Sequence, residues 1–247
     1  MAIEIKLWLL ILGLVSLVII YDIIKTNRLI ALGVQQTNNT QAFERRLNSA
    51  QLKFLVIGDS SAVGVGAIPP EGSIAGRLAS DFPEADIQNL AVSGSKVADA
   101  IKQLESLTEE NNFDMILIQI GGNDIVRRTP YAEIEKNLPK LFNLAQQRSA
   151  NIVQLTSGNV GTSQLLPFGT RWYFTYRTKQ VRQIFMRIAA EHNVHYIDLY
   201  RKRADDPYAS DPNKYYSLDF FHPSAEGYGD WYSFVRPVVK NLPDLHH

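Results

Sequence analysis

The sequence predicts an α/β fold: a three-layer α/β/α sandwich around a five-stranded parallel sheet, preceded by an N-terminal hydrophobic helix. Three observations predict it. Five short apolar runs alternate with longer stretches of helical spacing. The runs are continuously apolar, as strands of a parallel sheet covered on both faces require. Finally, the first 28 residues are far more apolar than the rest.

The candidate strands are Phe54–Ile57, Ile87–Ala91, Met115–Ile120, Ile152–Thr156 and His195–Leu199, each of strand length and rich in β-branched residues or leucine. Helical spacing fills Ser73–Phe82, Val97–Leu107, Ala132–Arg148 and Arg171–Asn193, and a last helix runs from Ser224 to Lys240. Repeated βα units with right-handed crossovers give a doubly wound sheet. Ligands of such sheets bind outside the carboxyl ends of the strands, where the strand order reverses. Chemistry is therefore sought in the segments that follow each apolar run.

At 247 residues, with 45% apolar and 20% charged residues, the chain has the size and balance of one main domain plus a short appendage. Its 25 basic residues are matched by 25 acidic ones, so no net field draws it to nucleic acid. The absence of cysteine removes disulfides, thiolate nucleophiles and Cys-based zinc sites together.

In the N-terminal segment, Leu7–Ile20 is uncharged, and Ile23 and Ile24 extend it past Tyr21 and Asp22. The uncharged part reaches only about 21 Å as a helix, short of the roughly 30 Å hydrocarbon layer. Ile3–Ile24 reaches across once Lys6 snorkels to one interface and Asp22 meets the other. The stretch after Ile20, YDIIKTNRL, carries no A-x-A-like pattern, which argues against a cleaved signal. Residues 1–28 are read as a membrane anchor, with a signal peptide and a core-packed helix as the other readings. Lys6 on one flank and Lys25 and Arg28 on the other leave its orientation undecided. Residues 29–51 are read as a polar tether, with a short exposed helix as the other reading of 33–51, and the domain proper as 52–247.

The first strand runs into Gly58-Asp59-Ser60-Ser61 and then AVGVGA. Gly58, Gly64 and Gly66 do not have the G-x-G-x-x-G spacing of a dinucleotide turn, and no G-K-[ST] follows for a phosphate loop. The alternative is a serine nucleophile presented at the end of the sheet. A serine needs a base. His192 and His195 sit across a helix end and a strand start, where a structural or surface role is the better reading, and His246 and His247 end the chain. His222 differs: Asp219 precedes it by three residues, and Pro223 and Ser224 open the last helix just after it. One loop can thus aim a carboxylate and an imidazole into one site.

Two glycine-bearing segments complete the set. Gly94, in AVSGS after the second strand, offers an unobstructed N–H in a turn. Gly121 and Gly122 after the third strand bring the backbone close, and Asn123 supplies a neutral amide donor. Such donors stabilise the oxyanion of an ester's tetrahedral intermediate. Singly, Gly94 reads equally as a helix-opening turn, and Asn123 with Asp124 as a cap.

In combination, Gly58-Asp59-Ser60, Gly94 in AVSGS, Gly121-Gly122-Asn123-Asp124 and Asp219-Phe220-Phe221-His222-Pro223 resemble, in order, the four blocks of the SGNH hydrolases, also called the GDSL esterase/lipase family. The resemblance spans Phe54 to about Tyr232. It implies the flavodoxin-like fold of that family and a carboxylic ester hydrolase with Ser60 as nucleophile, His222 as general base and acid, and Asp219 orienting His222. It further implies an oxyanion hole from the N–H groups of Ser60 and Gly94 and the Asn123 amide, with no metal or cofactor. Ser61 stands where the family's name motif has leucine.

The irregular stretch GNVGTSQLLPFGTRWYFTYR is read as an acyl-pocket wall, or else as aromatic packing of Trp172, Phe174 and Tyr176 beneath the next helix. The expected partner is a small ester of short to medium acyl chain, lipid-derived esters being in view because of the anchor. Acyl transfer to carbohydrate or lipid hydroxyls is the alternative, and a membrane-tethered binding protein on a degenerate hydrolase fold is the third reading. The resemblance and the N-terminal placement imply a bacterial inner-membrane anchor with the body in the periplasm.

Overall fold

The structure is a computed structural model that describes residues 2–108, 112–243 and 245, so His246 and His247 lie outside the described residues. The strands are β1 (Leu52–Gly58), β2 (Ala85–Asn89), β3 (Met115–Gln119), β4 (Ile152–Leu155) and β5 (His195–Ile197). They form one parallel sheet in the order β2-β1-β3-β4-β5. β3 and β4 are buried throughout, whereas the edge strands β2 and β5 are only partly covered. This is why the central strands read as unbroken apolar runs, and why β2, ADIQN, alternates.

Successive residues of a strand face opposite layers. Phe54, Val56 and Leu117 enter a core completed by α3 (Ile74–Asp81) and α10 (Ala225–Lys240). Leu55, Ile57, Ile116 and Ile118 enter a second core under α4 (Val97–Glu105), α6 (Tyr131–Gln146) and α7 (Arg171–Glu191). From β1 the chain crosses to β2 on one side and returns past β1 to β3 on the other, so the order reverses between β1 and β3. Their ends, Gly58 and Gln119, are register partners. Gly58 has φ +143°, and a Cβ there would meet Gln119 O at 1.9 Å, so only glycine lets the chain leave β1 at this point.

The hydrophobic N-terminal helix, α1, runs from Ala2 to Asn39, about 57 Å. The apolar part between Leu7 and Ile24 is exposed, its mean hydropathy reaching 2.6 over an 18-residue window. The segment 29–51, expected as a tether or, over 33–51, a short exposed helix, is part helix and part cover of the sheet edge. Its first part continues α1, because Leu29 is buried against the body and supports a further helical stretch. Beyond α1, Arg45 forms a two-way backbone bridge with Ile87 (3.0 and 2.7 Å) along the free edge of β2. Its guanidinium donates to Ala79 O at 2.6 Å and Ala85 O at 3.0 Å. An unpaired sheet edge is a template for aggregation, and this segment blunts it. Composition conceals such a role, because the bonds are made by the backbone and one long side chain.

Candidate active site

At the switch point, Asp59 caps a one-turn helix, α2 (Ser60–Val63). Its Oδ1 accepts the Ser61 N–H at 2.9 Å and the Ser61 hydroxyl at 2.7 Å. The two serines are thereby separated. Ser61 is bound to the cap, while Ser60 Oγ lies 2.8 Å from His222 Nε2. On the other side of the ring, His222 Nδ1 is 2.5 Å from Asp219 Oδ2.

A tight loop ahead of α10 holds this row. Phe220 has φ +54°, and its N–H donates to Ser217 O at 2.9 Å, which closes the loop around Asp219. Asp219 Oδ1 then accepts the N–H groups of Phe221 (2.9 Å) and His222 (3.0 Å) and the Ser217 hydroxyl (2.9 Å). Asp219 is fully buried. Burial alone would raise its pKa, but the bonds and charge of His222 and the two backbone N–H groups outweigh it and hold the carboxyl below its usual range. The opposite balance holds at Asp59, where burial prevails and the carboxyl is raised.

Gly94, with φ +85°, and Asn123, in α5 (Gly122–Val126), line the same cleft as Ser60 and His222. Among the described residues, neither the Gly94 N–H nor the Asn123 amide donates a hydrogen bond within the chain. The three positions named from the sequence, Ser60, Gly94 and Asn123, thus line one cleft.

Sequence reasoning missed the side chains that brace them. Gln103 is buried in α4; its Oε1 accepts the Gly58 N–H (2.8 Å), and its Nε2 donates to Gly58 O (2.9 Å) and Ser95 Oγ (3.1 Å). One amide thus ties the end of β1 to the Gly94 turn. Asp124 Oδ2 accepts the Val97 N–H at 3.1 Å, joining α5 to the start of α4, and burial pushes its pKa up to about 6. Arg177, buried in α7, donates to Asp124 O at 3.1 Å, to Ile125 O at 3.0 Å and to Thr129 O. The available signal was a polar residue on an apolar helical stripe, as at Gln103 beside Val97, Ala100 and Leu104.

Two hollows meet at Ser60. A narrow one runs inward between Val160, Leu199, Tyr216, Phe221 and Trp231; a wider, open one holds Gly94. The stretch after β4 contributes Asn159, Val160 and Thr162 to the inner hollow, as the pocket-wall reading expects. Its aromatics do otherwise. Phe174 packs on the second core, whereas Trp172 and Tyr176 are exposed and line neither hollow. Of the remaining histidines, the His192 ring lies at the end of α7 with Nδ1 2.9 Å from Ile188 O, and His195 is exposed on β5.

The family of GDSL-like lipases and acylhydrolases matches this chain over residues 56–229. The chain belongs to that family. Solved structures agree on the fold: a lipolytic G-D-S-L family protein from Veillonella parvula (TM-score 0.62, 18% identity, 77% of this chain and 99% of that one) and TesA (TM-score 0.61, 20% identity, 76% and 98%). In sequence, an arylesterase of Vibrio mimicus is 30% identical over 112 residues, 44% of this chain and 56% of that protein. Esterase TesA of Pseudomonas aeruginosa is 28% identical over 110 residues, 43% and 55% respectively. The match thus spans about half the length of these two relatives.

The GDSL-like match starts at Val56, so α1 lies outside it, yet α1 forms a wall of the open hollow. Ile30, Val34 and Thr37 line it opposite Leu165 and Leu166. Gly33 rests on Asp219 so closely that a Cβ there would stand 2.9 Å from Oδ2. The Gln36 side-chain amide lies 3.2 Å from the Ser217 hydroxyl. The helix that carries the apolar segment therefore also covers the carboxylate beneath His222.

Proposed function

We propose that the protein is a membrane-tethered serine esterase. The observation that carries this reading is the continuous row Ser60 Oγ, His222 Nε2, His222 Nδ1 and Asp219 Oδ2, with contacts of 2.8 and 2.5 Å, beside Gly94 and Asn123. His222 takes the Ser60 proton as Oγ attacks the ester carbonyl carbon. The oxyanion that forms is stabilised by the N–H groups of Ser60 and Gly94 and by the Asn123 amide. The tetrahedral adduct collapses, and the alcohol departs with the proton held by His222. Water then attacks the acyl-enzyme with the same base, releasing the acid and restoring Ser60. Asp219, ionised and buried, orients the ring and offsets the charge of the imidazolium.

The narrow hollow supports a short to medium acyl chain, and the open one leaves room for the alcohol portion. The apolar segment of α1 supports anchoring in a membrane, and its bond to the body at Asp22 (3.1 Å to the Phe168 N–H) supports its retention. With bacterial relatives and an N-terminal helix, the reading extends to an inner-membrane protein whose body stands in the periplasm.

The test is to fractionate cells expressing wild type and Ser60→Ala and to assay each fraction on aryl esters of increasing acyl length. Activity is expected in the membrane fraction of wild type alone, together with labelling of Ser60 by a fluorophosphonate. Activity confined to the soluble fraction overturns the anchor. Equal activity of the two proteins overturns the nucleophile.

A further inference from the structure

The turn that follows β4 and the first turns of α7 carry exposed aromatic side chains that neither hollow uses. Phe168 is 78% exposed, Trp172 73% and Tyr176 55%. The position of the turn along α1 is fixed by two bonds. The Phe168 N–H donates to Asp22 Oδ2 at 3.1 Å, and Thr26 Oγ1 donates to Leu165 O at 3.4 Å. Asp22 is where the apolar segment of α1 ends, and it is paired there with Lys25 at 2.6 Å. The part of the body that touches α1 nearest the apolar segment is therefore this aromatic turn.

From these contacts we infer that the Phe168–Trp172 turn is a second membrane contact, seated in the headgroup layer of the bilayer that α1 crosses; it rests on the anchored-esterase reading. Trp and Tyr favour this layer because it accepts both an apolar ring and a polar edge. Arg171, whose guanidinium stands 5.7 Å from the Phe168 ring centroid, supplies with Lys25 and Arg28 the cations that lipid phosphates attract. A lone helix leaves a body free to swing, whereas a second contact on the same surface fixes its orientation.

The orientation has a consequence for substrate. Leu165 and Leu166, just ahead of the turn, line the open hollow at Ser60 together with Ile30 and Val34 of α1. Gly33, over Asp219, stands about 17 Å along the helix from Asp22. The Ser60 site thus lies above the headgroup layer, joined to it by an apolar groove. An ester held in the bilayer reaches Ser60 along this groove only while the turn is seated.

The experiment uses the full chain reconstituted in vesicles of phosphatidylcholine and phosphatidylglycerol. With Trp8→Phe in place, the remaining indoles are Trp172 and the buried Trp231. Lipid brominated near the headgroup end of the acyl chain is expected to quench the emission of Trp8→Phe and to leave Trp8→Phe/Trp172→Phe unchanged. Equal emission loss in the two proteins overturns the inference.

In a second arm, Phe168→Ser/Trp172→Ser is expected to lose about tenfold in rate on a long-chain ester dissolved in the vesicles, an effect of about one decade in affinity for the surface. On a water-soluble aryl acetate it should keep the wild-type rate. Equal retention on both substrates overturns the inference. If both rates fall together, the quenching arm decides. A wild type inactive on both esters refutes the esterase reading alone, and failure of the vesicles to carry the protein on flotation refutes the anchor.

Discussion

Ser60 and Ser61 are adjacent in sequence, yet the structure gives them different partners, and replacing each with alanine tests the role proposed for each. In Ser60→Ala the atom 2.8 Å from His222 Nε2 is gone, and with it the covalent route. The neighbouring hydroxyl does not replace it: Ser61 Oγ is held at 2.7 Å by Asp59 Oδ1. Loss of a serine nucleophile typically costs about 10⁴–10⁶ in kcat, or roughly 5–8 kcal/mol of transition-state stabilisation, the remainder coming from oxyanion donors and binding.

Ser61→Ala should show the reverse. Asp59 is 4% exposed, and it loses one of its two bonds from Ser61. A hydrogen bond to a buried charged group is worth about 1.5–3 kcal/mol, which lowers the melting temperature of a domain this size by roughly 3–12 °C. Its kcat should stay within about threefold of wild type, a difference of less than 1 kcal/mol. The assay is the initial rate on a soluble aryl acetate together with thermal unfolding of each variant. Equal losses of kcat in the two variants refute the assignment of Ser60.

Three further outcomes follow from the same geometry. Asn123→Ala removes a neutral oxyanion donor and should lower kcat on the aryl ester by about 10²–10³ with little change in KM; an unchanged kcat would exclude the amide from the hole. Asp124, its pKa pushed by burial from 3.8 to about 6, keeps its proton in the native chain over a window in which the unfolded chain has lost it, so stability falls as pH rises from about 4 through about 6. Asp124→Asn should therefore be more stable than wild type by up to about 3 kcal/mol above pH 7 and nearly equal near pH 4, as urea unfolding at the two pH values would show. Gly33→Val forces a side chain to within 2.9 Å of Asp219 Oδ2 and should lower kcat by about 10–100-fold, while Gly13→Val, which meets nothing within 4 Å, should leave it unchanged.

The physical logic separates what was readable early from what was not. β3 and β4 were legible because burial on both faces forces a continuous apolar run, whatever the neighbouring strand. The reactive segments were legible only as an ordered set, because a single glycine, aspartate or asparagine at a strand end reads equally as a turn or a helix cap. Gln103, Asp124 and Arg177 were not, because a buried polar side chain is explained only by its partners. For Gln103 these are Gly58 and Ser95, and for Arg177 the carbonyls of a turn some fifty residues earlier. Trp172 and Tyr176 misled for a related reason: aromatic residues suit a pocket wall, a core and a membrane interface equally well.

Hydropathy and the order of apolar runs by themselves determined the apolar N-terminal helix and the parallel α/β class, and the resemblance of four ordered blocks to a known family supplied the candidates Ser60, Asp219 and His222, since these depend on local pattern and residue chemistry. Tertiary structure alone decided that Ser61 is bound to the Asp59 cap, that residues 40–51 seal the edge of β2, and that α1 rests on Asp219 through Gly33. Each of these is a contact between segments distant in the chain or a choice between neighbouring atoms. Such outcomes follow from how rigid elements pack, and no periodicity within one segment encodes them.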